Sequence, residues 1–167
     1  MAVGGVRHGE KASRARERAA TLPAMRISFA VFADGANLSQ EGKLNVLGVF
    51  DAVQVAALPS LHPRTHLVIR LKGDEDDVGS HRMTLRWLDP GGEELWSSTG
   101  ELSVAGAMHP DYDMDLPVIA VVDLPLSSTG RYVMQVVLDD DHKADVVLIV
   151  TSSVPQPVVR SGGMMIS

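Results

Sequence analysis

Residues 130–138 and 143–150 are rich in β-branched and apolar side chains, and the short acidic stretch Asp139-Asp140-Asp141-His142 separates them. That pattern predicts a β-hairpin, and most of the chain between residues 25 and 152 repeats it. Ile27, Phe29 and Val31 alternate with Arg26, Ser28 and Ala30, and Phe32 and Ala33 lead on to Asp34. Residues 34–42 carry turn-forming types. Leu44, Val46, Leu47, Val49 and Phe50 then form a returning strand, in which Gly48 marks a bulge or a close backbone approach. A proline-bearing crossover covers 56–63.

Strict alternation resumes over 66–72, with Leu67, Ile69 and Leu71 on one face and His66, Val68 and Arg70 on the other. After an acidic loop at 73–80, Met83, Leu85 and Trp87 alternate with Arg82, Thr84 and Arg86. Asp89-Pro90-Gly91-Gly92 is a turn, because proline presets φ and glycine accepts positive φ. Residues 93–105 read as one strand, with Gly100 as a possible kink. After a loop at 106–115, residues 116–124 read as another strand, with Pro117 near its start, where a missing N–H is tolerated.

No segment shows capped helical periodicity beyond about two turns. Eight or nine short strands at this spacing predict an all-β, antiparallel β-sandwich of immunoglobulin-like type. A small closed barrel is the alternative. Leu124-Pro125-Leu126 followed by Gly130-Arg131-Tyr132 matches the corner before a late strand of such sandwiches. There a buried tyrosine hydroxyl bonds back to the backbone upstream, and Tyr132 is expected to do so.

Several of these pieces carry a resemblance. They are Glu41-Gly42-Lys43-Leu44-Asn45-Val46-Leu47-Gly48, His81-Arg82-Met83-Thr84-Leu85 with Leu88-Asp89-Pro90-Gly91-Gly92, and Leu124-Pro125-Leu126 with the hairpin from Gly130. Together, over about residues 25–150, the chain resembles a group of small bacterial conserved hypothetical β-sandwich proteins of unknown function. The resemblance implies the fold and supplies no activity, cofactor or catalytic residue.

Composition narrows the chemistry. The chain has 167 residues, enough for one domain with its own core, and no cysteine. Disulfides, thiolate nucleophiles and cysteine zinc sites are thereby excluded, and a reducing, cytoplasmic location is expected. No apolar run approaches the roughly 20 residues of a membrane helix. The net charge of −6 is unevenly placed. Residues 1–25 hold five basic and two acidic side chains, giving +3; residues 26–167 hold ten and nineteen, giving −9. Such an acidic body repels nucleic-acid backbones and anionic membranes, so neither is an expected partner. The expected organisation is a disordered basic arm or mis-assigned start over 1–25, a sandwich over 26–152 and a flexible tail over 153–167.

If strands simply alternate in direction, the loops at 34–42, 73–80, 106–115 and 139–142 share one end. Twelve acids would then line one rim: Asp34, Glu41, Asp74, Glu75, Asp76, Asp77, Asp111, Asp113, Asp115, Asp139, Asp140 and Asp141. Ca²⁺ takes about 6–8 oxygen ligands, so the rim, with Asp111-x-Asp113-x-Asp115, is a candidate calcium or small-ligand site. The bland reading is a solvated acidic surface. His81, His109 and His142 could join it in a mixed site. His62 and His66 have a zinc-like spacing, but Pro63 argues against the helix it needs.

No nucleophile elbow, His-Glu-x-x-His or phosphate-binding glycine loop occurs. Trp87 is expected in the core, whereas Trp96 could be exposed. The crossover at 58–61 and Met164, Met165 and Ile166 are candidate partner surfaces. The expected function is therefore a non-catalytic interaction or structural module, with no cofactor and no catalytic, cofactor-binding or metal-binding residue assigned. Its partner would be another protein or itself, through sheet edges or the C-terminal tail. The rivals are a ligand-binding domain at the acidic rim and an enzyme whose site is assembled across loops.

Overall fold

A computed structural model describes residues 25–106 and 113–153. The strands, in chain order, are β1 (Arg26–Leu38), β2 (Leu44–Phe50), β3 (Ala52–Val55), β4 (Ser60–Gly73), β5 (Gly79–Leu88), β6 (Glu94–Val104), β7 (Met114–Leu126), β8 (Gly130–Leu138) and β9 (Asp141–Ser152). They form a four-stranded sheet, ordered β2-β1-β4-β7, and a five-stranded sheet, ordered β3-β9-β8-β5-β6. The fold is the expected immunoglobulin-like β-sandwich, with two layers rather than a closed barrel.

The alternation seen in the sequence produces the core. Leu67, Ile69 and Leu71 from β4 meet Met83, Leu85 and Trp87 from β5, all buried in one cluster. Tyr132, Met134 and Val136 of β8 and Val146, Leu148 and Val150 of β9 complete it. Each such side chain contributes about 1.5–3 kcal/mol of transfer free energy on burial. Trp87 lies at the centre, stacked on Tyr132 at 5.2 Å and edge-on to Phe32 at 6.0 Å. Its indole N–H donates to the Pro125 carbonyl, so burial leaves no orphan donor. Tyr132 makes the expected corner. Its hydroxyl accepts from the amides of Ser127 (2.9 Å) and Ser128 (3.0 Å) and donates to the Ser128 carbonyl.

The N-terminal half differs from the sequence reading in several details: β4 begins at Ser60, taking in the second half of the expected 56–63 crossover, and β1 differs in two ways. First, β1 does not stop at Asp34. It runs to Leu38, paired with β2 down to Leu38↔Leu44, and the turn is confined to Ser39–Lys43. Second, a register shift between Ile27 and Phe29 reverses the alternation. Ile27 faces the core, but beyond the shift Ala30 and Phe32 do so, while Phe29 and Val31 turn outward. Gly48 is a close approach: its φ is +66°, and a Cβ there would strike the Asp34 carboxylate.

The sandwich is antiparallel except for one pair. After β2 the chain switches sheets at Asp51, whose carbonyl accepts from the Ile149 amide, and β3 runs parallel to β9. This four-residue strand, not anticipated, reverses the up-down parity of everything before it. The 39–43 turn therefore lies at the pole opposite the 74–78 loop, because β1 is antiparallel to β4 with Arg26 beside Lys72. The loop after β4, the β6–β7 connection and the β8–β9 turn do share one pole, since Gly73 pairs with Met114, Gly79 with Val104 and Leu138 with Asp141.

Candidate functional site

Three of the four predicted acidic loops thus converge, and Asp34 and Glu41 are removed from the rim. Asp34 lies within β1, and Glu41 sits in the opposite turn, bonded to Ser39. Asp111 and His109 lie outside the described residues, as do the arm at 1–24 and the apolar tail residues Met164, Met165 and Ile166.

The carboxylates gathered at this pole are largely engaged in holding the loops. Asp74 caps the single helical turn Glu75–Asp77 by accepting from the Asp76 amide. The buried Asp77 accepts from the amides of Asp74 (3.0 Å) and Met25 (3.1 Å), and Gly73 leaves it room. Arg26 pairs with Asp113, Arg70 and Lys72 with Asp115, Arg82 with Asp140, and Lys143 with Asp141. The Arg70 hydrogen bond holds the Asp115 carboxyl below its usual range.

His81 is the most constrained group at this pole. Its Nδ1 lies 2.5 Å from Asp139 Oδ2, and its Nε2 lies 2.7 Å from the Asp77 carbonyl. Both partners are acceptors, so the ring fits best as a doubly donating imidazolium. Its pKa is raised, first by the Asp139 hydrogen bond and then by the Asp77 carbonyl; Asp139 is lowered, first by His81 and then by the Arg82 amide. The ring ties the 74–78 loop to the β8–β9 turn.

The other histidines among the described residues do not join it. His142 bonds Asp145, His62 faces Phe50 inside the sandwich at 5.5 Å, and His66 lies on the opposite face of β4. Among the described residues no group of three or more His, Asp or Glu side chains is placed to hold a metal ion. Trp96 is half-buried and packs against the core, with its indole N–H lacking a partner among the described residues.

Among the described residues, the clefts that open along the sides of the sandwich include two between the sheets. The larger, about 490 Å³, lies between β1 and β9 below the sheet switch and is lined by Val31, Phe32, Phe50, Asp51, Asp145 and Val146, among others. The other, about 210 Å³, opens between β6 and β7 over Met83, Leu85 and Val118. Apolar side chains dominate both.

The outer faces of the two sheets differ in the extent of their apolar surface: the five-stranded sheet carries the outward row Leu88, Val133 and Val147 and a 40% exposed Ile149, set among polar pairs. On the five-stranded sheet Thr84 bonds Thr99, and Arg86 bonds Glu94 and Gln135. On the four-stranded sheet, pairing register places Val49, Ala33, His66 and Val121 in one outward row and Val31, Val68 and Ile119 in the next. Leu47 stands outward beside Gly35. Ala33 and Val68 are buried yet lie outside the core cluster, because their outward neighbours crowd over them. The exposed members are Leu47 (75%), Val49 (60%) and Val121 (56%), with Leu61 (55%) farther along β4. Nδ1 of His66, in the midst of this face, is buried without a hydrogen-bond partner among the described residues.

Sequence reasoning missed this surface. The available signal was the unbroken run Val118-Ile119-Ala120-Val121-Val122, which, as a strand, has to be apolar on both faces.

Fold and surface together define an immunoglobulin-like β-sandwich whose four-stranded sheet has the more extensive apolar outer face. The chain belongs to DUF6941, a family of unknown function whose model matches residues 28–151. No curated protein sequence matches it. Similar solved structures include an immunoglobulin-like protein from Pseudomonas aeruginosa, 12% identical with a TM-score of 0.35, covering 78% of this chain and 98% of that one. Another is the Pseudomonas fluorescens alkylpurine DNA glycosylase AlkC bound to DNA containing an abasic site analog. It is 8% identical with a TM-score of 0.35 over 81% of this chain, which spans about a third (33%) of the glycosylase chain. Among the described residues no helix is long and apolar enough to cross a membrane.

Proposed function

We propose that this protein is a non-catalytic interaction module that binds a protein partner through the outer face of its four-stranded sheet. The observation that carries the reading is the contiguous apolar band with Leu47, Val49 and Val121 exposed, more extensive than any on the other sheet. A sheet that faces only water alternates apolar-in with polar-out, as β5 and β6 do. β1, β4 and β7 break that rule along a contiguous band, and such bands mark interaction surfaces. Affinity capture with the full chain and with a Val49→Asp, Val121→Asp variant tests it. Partners held by the wild type and lost by the variant, at equal thermal stability, are expected; identical partner sets would refute the reading.

Calcium or ligand binding at the acidic pole has less support, because most of the carboxylates there are tied to cations or backbone amides. An assembled active site has less support too, since the clefts among the described residues are mainly apolar.

A further inference from the structure

Resting on that reading of the apolar face, we infer that its partner is a second copy of this chain, packed face to face about a two-fold axis. Charge is the first argument. Residues 26–167 carry −9, so most approaches between two copies set acid against acid. The four-stranded face differs: its charged border combines Arg26, Arg70 and Lys72 with Asp113 and Asp115, already paired within one copy. With Asp123, which accepts from the Arg64 amide on the same face, three acids stand against those three cations, so the border is close to neutral. A second near-neutral apolar face meets it without repulsion.

Area is the second argument. Four staggered strands about 4.8 Å apart, each rising about 3.3 Å per residue over its own length, make a face of roughly 750 Å². That is about what each partner contributes to a stable interface. Its layout also fits: Val31, Val49, Val68, Ile119 and Val121 form an apolar centre, bordered by the hydrogen-bonded Asn37–Asn45 pair at one end and ion pairs at the other. An isologous contact requires such a self-complementary patch.

The test is sedimentation equilibrium of the full chain from 1 to 100 µM. A dimer of twice the monomer mass is expected. Val49→Asp and Val121→Asp, both at exposed positions, should each weaken it at least tenfold with an unchanged far-UV spectrum. Leu95→Asp, on the other sheet, should leave it intact. A monomer at 100 µM, or a dimer indifferent to both face variants, overturns the inference. A monomer whose captured partner is lost in the Val49→Asp, Val121→Asp variant overturns the second copy alone and leaves the binding face standing; a monomer whose capture is unaffected removes both.

Discussion

His81 shows how one side chain can set the pH response of stability. Its raised pKa means that the folded state binds the proton more tightly than the unfolded chain, whose value is near 6.5. The stabilisation is therefore complete below about that pH and is lost as pH rises through the folded value. Asp139 works in the opposite sense: its folded value lies below 3.8, so its contribution is present above that pH and lost on acidification. Both act together between those limits. Urea unfolding should show stability falling from pH 6.5 towards pH 9, and His81→Ala should flatten that fall. At pH 6 the substitution should cost about 1–2 kcal/mol, as for a hydrogen bond to a charged group. Equal losses at pH 6 and pH 9 would show that the ring acts through packing instead.

At the scale of single elements, the β8–β9 turn is the clearest case of local chemistry at odds with its geometry. Only Asp139 and Asp140 separate the strands, with φ of 49° and 65°. Two successive left-handed residues make the mirror-image turn that matches strand twist, and glycine suits its second position best. Asp139 is retained for its bonds to His81 and the Arg82 amide. Asp140 offers only an exposed pair with Arg82, worth little. Asp140→Gly should therefore stabilise the protein by about 0.5–1 kcal/mol, read as a rise in urea midpoint at constant slope. A fall would mean that the Arg82 pair matters more than the backbone.

The same contrast explains what the sequence disclosed. β4 and β5 were legible because Leu67–Leu71 and Met83–Trp87 alternate cleanly, and the tyrosine corner because Tyr132 sits in a recognisable frame. β1 was misread because both its faces are apolar beyond the bulge, which erases the period. β3 was missed because the alternation of Val53 and Val55 over only four residues is too short to stand out beside a proline-bearing crossover.

For the whole molecule, that missed strand decided how the acids were distributed. A strict up-down chain would have gathered the 34–42 segment with the other acidic loops. The switch at Asp51 sends it to the far pole and leaves cations such as Arg26, Arg70, Lys72 and Arg82 interleaved with the acids that remain. A calcium ion there would have to displace those pairs and release Asp77 from two amides. Ligand binding to the folded state raises stability by RT ln(1 + [L]/Kd), so a millimolar site would be visible at 10 mM as roughly 1.4 kcal/mol. Against an acidic body, however, any divalent salt screens repulsion, and the relevant control is Mg²⁺ at equal ionic strength. Thermal unfolding in 10 mM Ca²⁺ and in 10 mM Mg²⁺ should give the same midpoint within about 1 °C. A calcium-specific rise that disappears in Asp113→Ala would restore the ligand-binding reading of this pole. With the two midpoints equal, the acids at this pole serve to anchor its loops.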